Sequence, residues 1–177
     1  TDRDGLAVVE KDPLKNSFYK QCVATTKVAS TPESVEKSCL CMSAHMQALQ
    51  AKRNEDVRKQ EIYSVFRAAK DVKEITERDI MLKVYAPCLY LTVYDSVYDQ
   101  CYYNKEYHRY MKSVNHLNSM CNCMAEKTES YIKDYGEARL AVLLHQGRTI
   151  EDPLLALTED IEYLKLFNEV RNGCFRT

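Results

Sequence analysis

The sequence predicts an all-α protein, a tandem duplication of a disulfide-stapled helical bundle unit with about four helices per copy. Three observations carry this. The 177 residues are 45% hydrophobic with only four glycines and four prolines. A core is therefore affordable, while the turns that a sandwich or barrel needs every ~8–12 residues are scarce. Eight cysteines are present, an even number without zinc-type Cys-x-x-Cys spacing, which reads as four disulfides. Those cysteines also form two similar sets. Cys22, Cys39, Cys41 and Cys88 are separated by 17, 2 and 47 positions, and Cys101, Cys121, Cys123 and Cys174 by 20, 2 and 51.

Other residues follow the same alignment. Tyr19, Gln21 and Cys22 match Tyr98, Gln100 and Cys101; Val35 matches Leu117, and Met42 matches Met124. Late in each set, Ile75-Thr76-Glu77 corresponds to Leu157-Thr158-Glu159, a capping-type start for the helix that carries the last cysteine. The expected organisation is a poorly ordered N-terminal arm over 1–15, one helical repeat over 16–88 and a second over 89–177. The repeats are joined at, or run continuously through, a helix kinked near Pro87.

In the first copy a helix is expected from Asn16 to about Lys27. A second is capped by Thr31 with Pro32 at its first position and runs through Cys39, Cys41 and Leu49. A third is expected from Asn54 to about Lys70, with Val57, Ile62, Val65 and Phe66 on one stripe. Thr76 then caps a fourth that leads to Cys88. In the second copy the expected spans are Leu91 to Met111, Ser113 to Tyr135, Glu137 to Gln146 and Thr158 to Arg171, with Gly147 to Pro153 as an exposed loop. From Asp79 to Met111 there is no glycine and a single proline. Pro87 removes one helical hydrogen bond, so this stretch is either one bent helix or two helices meeting there.

Residues two apart on a helix sit ~200° apart around its axis. The two thiols of "CLC" or "CNC" therefore face different neighbours, one tying its helix to the first helix of the copy and the other to the last. Cys22–Cys39 with Cys41–Cys88, and Cys101–Cys121 with Cys123–Cys174, is one pairing. The swapped set, Cys22–Cys41 with Cys39–Cys88, is nearly equivalent.

Charge is close to balanced, 25 basic against 26 acidic residues, with the signs interleaved, so no basic footprint for nucleic acid is visible. No apolar run approaches the ~18 residues of a membrane span. Four disulfides point to an oxidising compartment, periplasmic or extracellular.

Two features bear on function. Eight of the 13 tyrosines lie between Tyr85 and Tyr110, and Tyr90, Tyr94, Tyr98 and Tyr102 recur every four residues, forming a stripe on a helix. Such rings either cover the seam between copies or, with Tyr107, form a surface for a protein partner. The second is a set of soft donors: Cys39, Cys41, Met42 and His45 suit copper or zinc. Against this, disulfide sulfur is not a thiolate ligand, and Lys127 stands where the first copy has His45. No hydrolase, metalloprotease, phosphate-loop or dinucleotide fingerprint occurs, and a redox centre would favour Cys-x-x-Cys at a helix start.

The string "SFYKQCVATTKVASTPESVEKSCLCM", an aromatic residue followed by Cys and then Cys-x-Cys, resembles small exported helical proteins of Gram-negative bacteria. The resemblance covers about 25 to 30 residues in each copy, implies an exported helical fold, and brings no functional residue with it. The leading expectation is a non-catalytic extracytoplasmic binding or assembly protein that docks on a protein partner and needs no cofactor. The alternatives are a periplasmic copper or zinc binder, and a small hydrolase or thiol-redox enzyme.

Overall fold

The computed structural model describes Asp12 and residues 16–26, 31–64 and 74–176, with backbone alone at 62–64. Among these residues there are eight α-helices and no strand. They are α1 (Ser17–Thr25), α2 (Pro32–Ser64), α3 (Glu77–Ile80), α4 (Tyr90–Tyr102), α5 (Lys105–Tyr110), α6 (Val114–His145), α7 (Pro153–Thr158) and α8 (Ile161–Phe175). A π-helical turn, Met81–Tyr85, and a 3-10 turn, Ala86–Cys88, link α3 to α4. Apart from Asp12, the N-terminal arm expected over 1–15 lies outside the described residues, as does the stretch from 65 to 70.

Local chemistry starts most helices. Asn16 accepts the Phe18 N–H at 2.8 Å and opens α1. Thr31 accepts the Ser34 N–H at 3.2 Å and opens α2, with Pro32 in the first position. Thr76 and Asp79 form a reciprocal capping box at α3; each satisfies a backbone N–H that the helix leaves unpaired. Ser113 accepts the His116 N–H and opens α6.

Four expected boundaries are corrected. The second and third helices of the first copy are one helix, α2. Asn54 does not restart it, because no glycine or proline interrupts residues 33–64 and the helical backbone continues through it to Ser64. Likewise α6 runs unbroken through Gly136, which is buried. A β-carbon there would sit 3.3 Å from an Ile132 methyl and 3.6 Å from a Leu157 methyl, so the glycine marks the close approach of α7 rather than a break. Conversely, the helix expected from Leu91 to Met111 divides at Tyr103–Asn104. The Asn104 side chain accepts the Glu106 N–H at 2.9 Å and starts α5 anew.

The fourth correction concerns Thr158, which ends α7 instead of capping the last helix; its hydroxyl donates to the Leu155 carbonyl. Asp152 with Pro153 makes the earlier start, Asp152 accepting the N–H groups of Leu154 and Leu155 at 3.0 Å each. The expected loop therefore closes at Asp152. It opens where α6 ends at Gly147, whose φ of 77° suits a residue without a β-carbon. There the Arg148 N–H reaches back to the Leu143 carbonyl at 3.3 Å.

The bend expected near Pro87 is an elbow of mixed winding. Pro87 has no N–H to donate, and the preceding turn widens so that Ala86 donates five residues back, to the Met81 carbonyl. The change in winding also splits the side chains between two cores. Val84 and Cys88 enter a small cluster with Met42, flanked by Phe18, Cys22, Met46 and Leu49. Ala86, Leu89, Val93 and Val97 enter the large one.

The large core is organised by α6. Tyr94 and Tyr98 bond to Asn122 and Asn118 in reverse order, so α4 runs antiparallel to α6. Asp160 contacts Arg139 and Cys174 bonds to Cys123, so α8 does the same. Leu117, Ile132, Leu140, Leu143 and Leu157 are fully enclosed, each adding roughly 1.5–3 kcal/mol of burial.

Candidate functional site: two grooves beside a stapled tyrosine seam

The four bridges are Cys22–Cys39, Cys41–Cys88, Cys101–Cys121 and Cys123–Cys174. Each Cys-x-Cys thus splits. Cys39 holds α1 to α2 while Cys41 holds α2 to the elbow; Cys121 holds α4 to α6 while Cys123 holds α6 to α8. The pairing is the first of the two left open above, and no free cysteine is among the described residues.

This changes the metal set expected from the sequence. Cys39 and Cys41 are each bonded elsewhere and present no thiolate, and Met42 is buried in the small core. What converges instead is Cys41, His45 and Cys88, with sulfur and imidazole donor atoms all within 4.8 Å of one another.

The tyrosine stripe forms a ladder. The rings of Tyr94, Tyr98 and Tyr102 stack at 6.3 and 5.9 Å, tilted by 5° and 10°. The Tyr94 hydroxyl donates to Asn122 and the Tyr98 hydroxyl to Asn118 at 3.2 Å. Lys133 lies 5.3 Å from the Tyr90 ring centre. Burial, aided by the Glu126 carboxylate, pushes the Tyr94 phenol above its ordinary range. Tyr90, Tyr94, Tyr98, Tyr102 and Tyr107 are all half-buried against the large core. The ladder is therefore the seam between α4 and α6, with only its outer edge towards solvent. The fully open aromatic rings nearby belong to Tyr103 and Tyr110.

Another side of α4 faces two grooves. The larger, about 610 Å³, lies between the halves: Phe18 and Cys22 of α1, Ser38 and Met42 of α2, and Tyr85, Leu89 and Thr92 line one side. Glu151, Asp152, Pro153 and Leu154 line the other. The smaller, about 370 Å³, has Val93 and Val97 on its floor and Leu155, Leu164, Tyr163 and Phe167 on its walls. Asp152 and Leu154 line both, so the two meet at the start of α7. Among the described lining residues the charged side chains are Glu151 and Asp152, with no lysine or arginine.

In the sequence, Val93 and Val97, four apart on α4 and flanking the tyrosine stripe, carried a signal for the floor. For Leu154, Leu155 and Thr158 no local signal existed, because only the docking of α7 onto α6 brings them there.

Fold and site define a class, an all-α, four-disulfide protein with a trough of mixed apolar and polar lining beside its central helix pair. No protein-family model matches the chain, and no curated protein or solved structure matches it either.

Proposed function

We propose that the protein is a non-catalytic extracytoplasmic binding or assembly protein, an envelope-complex component, adaptor or secreted effector. In this reading it receives a segment of a protein partner in the joined grooves along α4. The observation that carries it is the lining: a mainly apolar smaller groove with exposed leucines at its rim, a larger groove where Gln21, Thr25, Thr26, Ser38 and Thr92 add hydrogen-bonding groups, and only carboxylates as charged groups among the described residues. That chemistry fits a segment that presents aliphatic or aromatic side chains beside lysine or arginine.

Four disulfides in 177 residues support an oxidising location, periplasmic or extracellular. The likeness of the aromatic, Cys, Cys-x-Cys string to small exported proteins of Gram-negative bacteria agrees with it. We also infer that the halves are copies of one unit. In both long helices the first cysteine of Cys-x-Cys is the eighth residue.

The test uses a displayed library of short peptides selected on the oxidised protein. Enrichment of apolar peptides carrying Lys or Arg is expected, with binding lost in a Leu155→Glu, Leu164→Glu double variant. Both leucines are about half exposed, so the variant keeps its core. No enrichment, or peptides that bind the double variant unchanged, would overturn the reading.

A further inference from the structure

A second site lies away from the grooves. His45 follows Cys41 by one helical turn on α2, and Cys88 closes the elbow opposite. The two sulfurs and an imidazole nitrogen lie within 4.8 Å of one another. The three residues differ in access: His45 is exposed, Cys41 half-buried and Cys88 fully buried. The sulfurs are joined at 2.03 Å, so in this state neither offers a charged lone pair to a cation.

We propose that this corner is a redox-gated zinc site, closed by the Cys41–Cys88 bond and opened by a dithiol or phosphine reductant. Reduction breaks the sulfur–sulfur bond with two electrons from the reductant and two protons, which come from the dithiol itself or, with a phosphine, from water. A dithiol leaves as its own disulfide, and a phosphine as its oxide, the oxygen coming from water. Binding of Zn²⁺ then displaces the two thiol protons, and the neutral imidazole of His45 supplies the third donor.

Two thiolates and one imidazole form a set that zinc accepts, with a water in the fourth position. Tetrahedral zinc with Zn–S near 2.3 Å needs the sulfurs roughly 3.8 Å apart. The α-carbons, 5.9 Å apart, already hold the two side chains face to face, so a modest opening suffices. Zinc so bound would bridge the elements the disulfide bridges, α2 and the elbow. A chain passing from an oxidising to a reducing compartment would exchange a covalent staple for a metal one.

The second half supplies the contrast. Cys123–Cys174 is the corresponding bridge, but the residue four beyond Cys123 is Lys127. Its ammonium lies by Gly173 at the end of α8, 4.0 Å from where a β-carbon on that glycine would stand. A protonated amine is no ligand, so the expected stoichiometry is one zinc per chain rather than two.

The experiment treats the folded protein with limiting phosphine, counts the opened thiols by alkylation and mass, and titrates Zn²⁺ against a chromophoric chelator. Co²⁺ substitution reads thiolate coordination by its charge-transfer band. The expected result is one equivalent bound once Cys41 and Cys88 are free, and none by the oxidised protein. His45→Ala should weaken binding about ten-fold or more while leaving the disulfides of the oxidised protein intact. The proposal fails if the oxidised protein binds equally well, or if His45→Ala changes nothing. Zinc uptake that begins only after all eight thiols are free would overturn it too. These outcomes are independent of peptide binding in the grooves.

Discussion

Arg139 of α6 and Asp160, the residue before α8, form a two-point contact. The Arg139 Nε and Nη2 atoms donate to one oxygen, Asp160 Oδ2, at 3.0 and 2.8 Å. The Asp160 side chain is only 6% exposed, so its charge has been taken out of water and depends on the guanidinium. Arg139→Met should cost about 2 kcal/mol, because it leaves a buried carboxylate without its donors. Asp160→Asn should cost less. Urea unfolding midpoints of the two variants measure the difference, and the reverse order would show that the pair does not anchor α8.

Bridges that close longer loops restrict the unfolded chain more. Cys22–Cys39 and Cys101–Cys121 span 17 and 20 positions, whereas Cys41–Cys88 and Cys123–Cys174 span 47 and 51. Chain-entropy scaling assigns about 3 kcal/mol to each short loop and about 4 kcal/mol to each long one. Removing a long-range pair as a double serine variant should therefore destabilise by about 1 kcal/mol more than removing a short-range pair, measured by chemical unfolding. Unfolded, unreduced wild-type protein should contain no titratable thiol.

The capping box at α3 makes stability depend on acid. Hydrogen bonds from the Lys83 ammonium and from the Thr76 hydroxyl and N–H lower the Asp79 carboxyl from 3.8 to about 2. Its folded value lies below its unfolded one, so its contribution is complete above about pH 4 and is lost as pH falls towards 2. NMR titration should find the Asp79 carboxyl protonating near pH 2, below its ordinary value. Thr76→Val should move it back up.

At alkaline pH the sign is set by Tyr163, whose phenol burial pushes up to about 12 from 10.0. The folded chain keeps a proton that the unfolded chain has released, so stability falls as pH rises from 10 to 12. Ultraviolet titration should show a phenol ionising about two units late. Tyr163→Phe should flatten that part of the pH profile.

The tyrosine seam admits a pairwise test. Tyr94→Phe removes one hydroxyl that bonds to Asn122 and should cost about 1 kcal/mol. In a double-mutant cycle, Asn122→Ala should couple to it, whereas Asn122→Ala should not couple to Tyr98→Phe, whose partner is Asn118.

Much of the architecture was legible in the sequence because it rests on covalent and local rules. The cysteine spacing announced the staples, and Thr31-Pro32, Thr76 and Ser113 announced three helix starts. Pro87 announced the elbow. What could not be read were competitions decided by tertiary context. Asn54 and Asn104 are the same residue type, each followed by two charged residues, yet α2 runs through the first and α4 gives way to α5 at the second. At 104 the Cys101–Cys121 tether between α4 and α6 accompanies a turn of the chain into α5, whereas at 54 the helix continues. The tyrosine stripe was visible, but its inward direction depends on Asn118 and Asn122 facing it from another helix. The groove walls depend on α7, whose six residues carry no signal of where they dock.

The exposed connection over residues 147–152 lies inside the ring closed by Cys123 and Cys174. A protease cutting there would separate α6 from α8 along the backbone while sulfur kept them joined. The nicked chain would migrate as one species on a non-reducing gel and as two once reduced. Its C-terminal piece would stay seated on α6, so the exposed pair Arg148 and Thr149 is a place where a tag or a foreign loop can be inserted at little cost to the assembled helices.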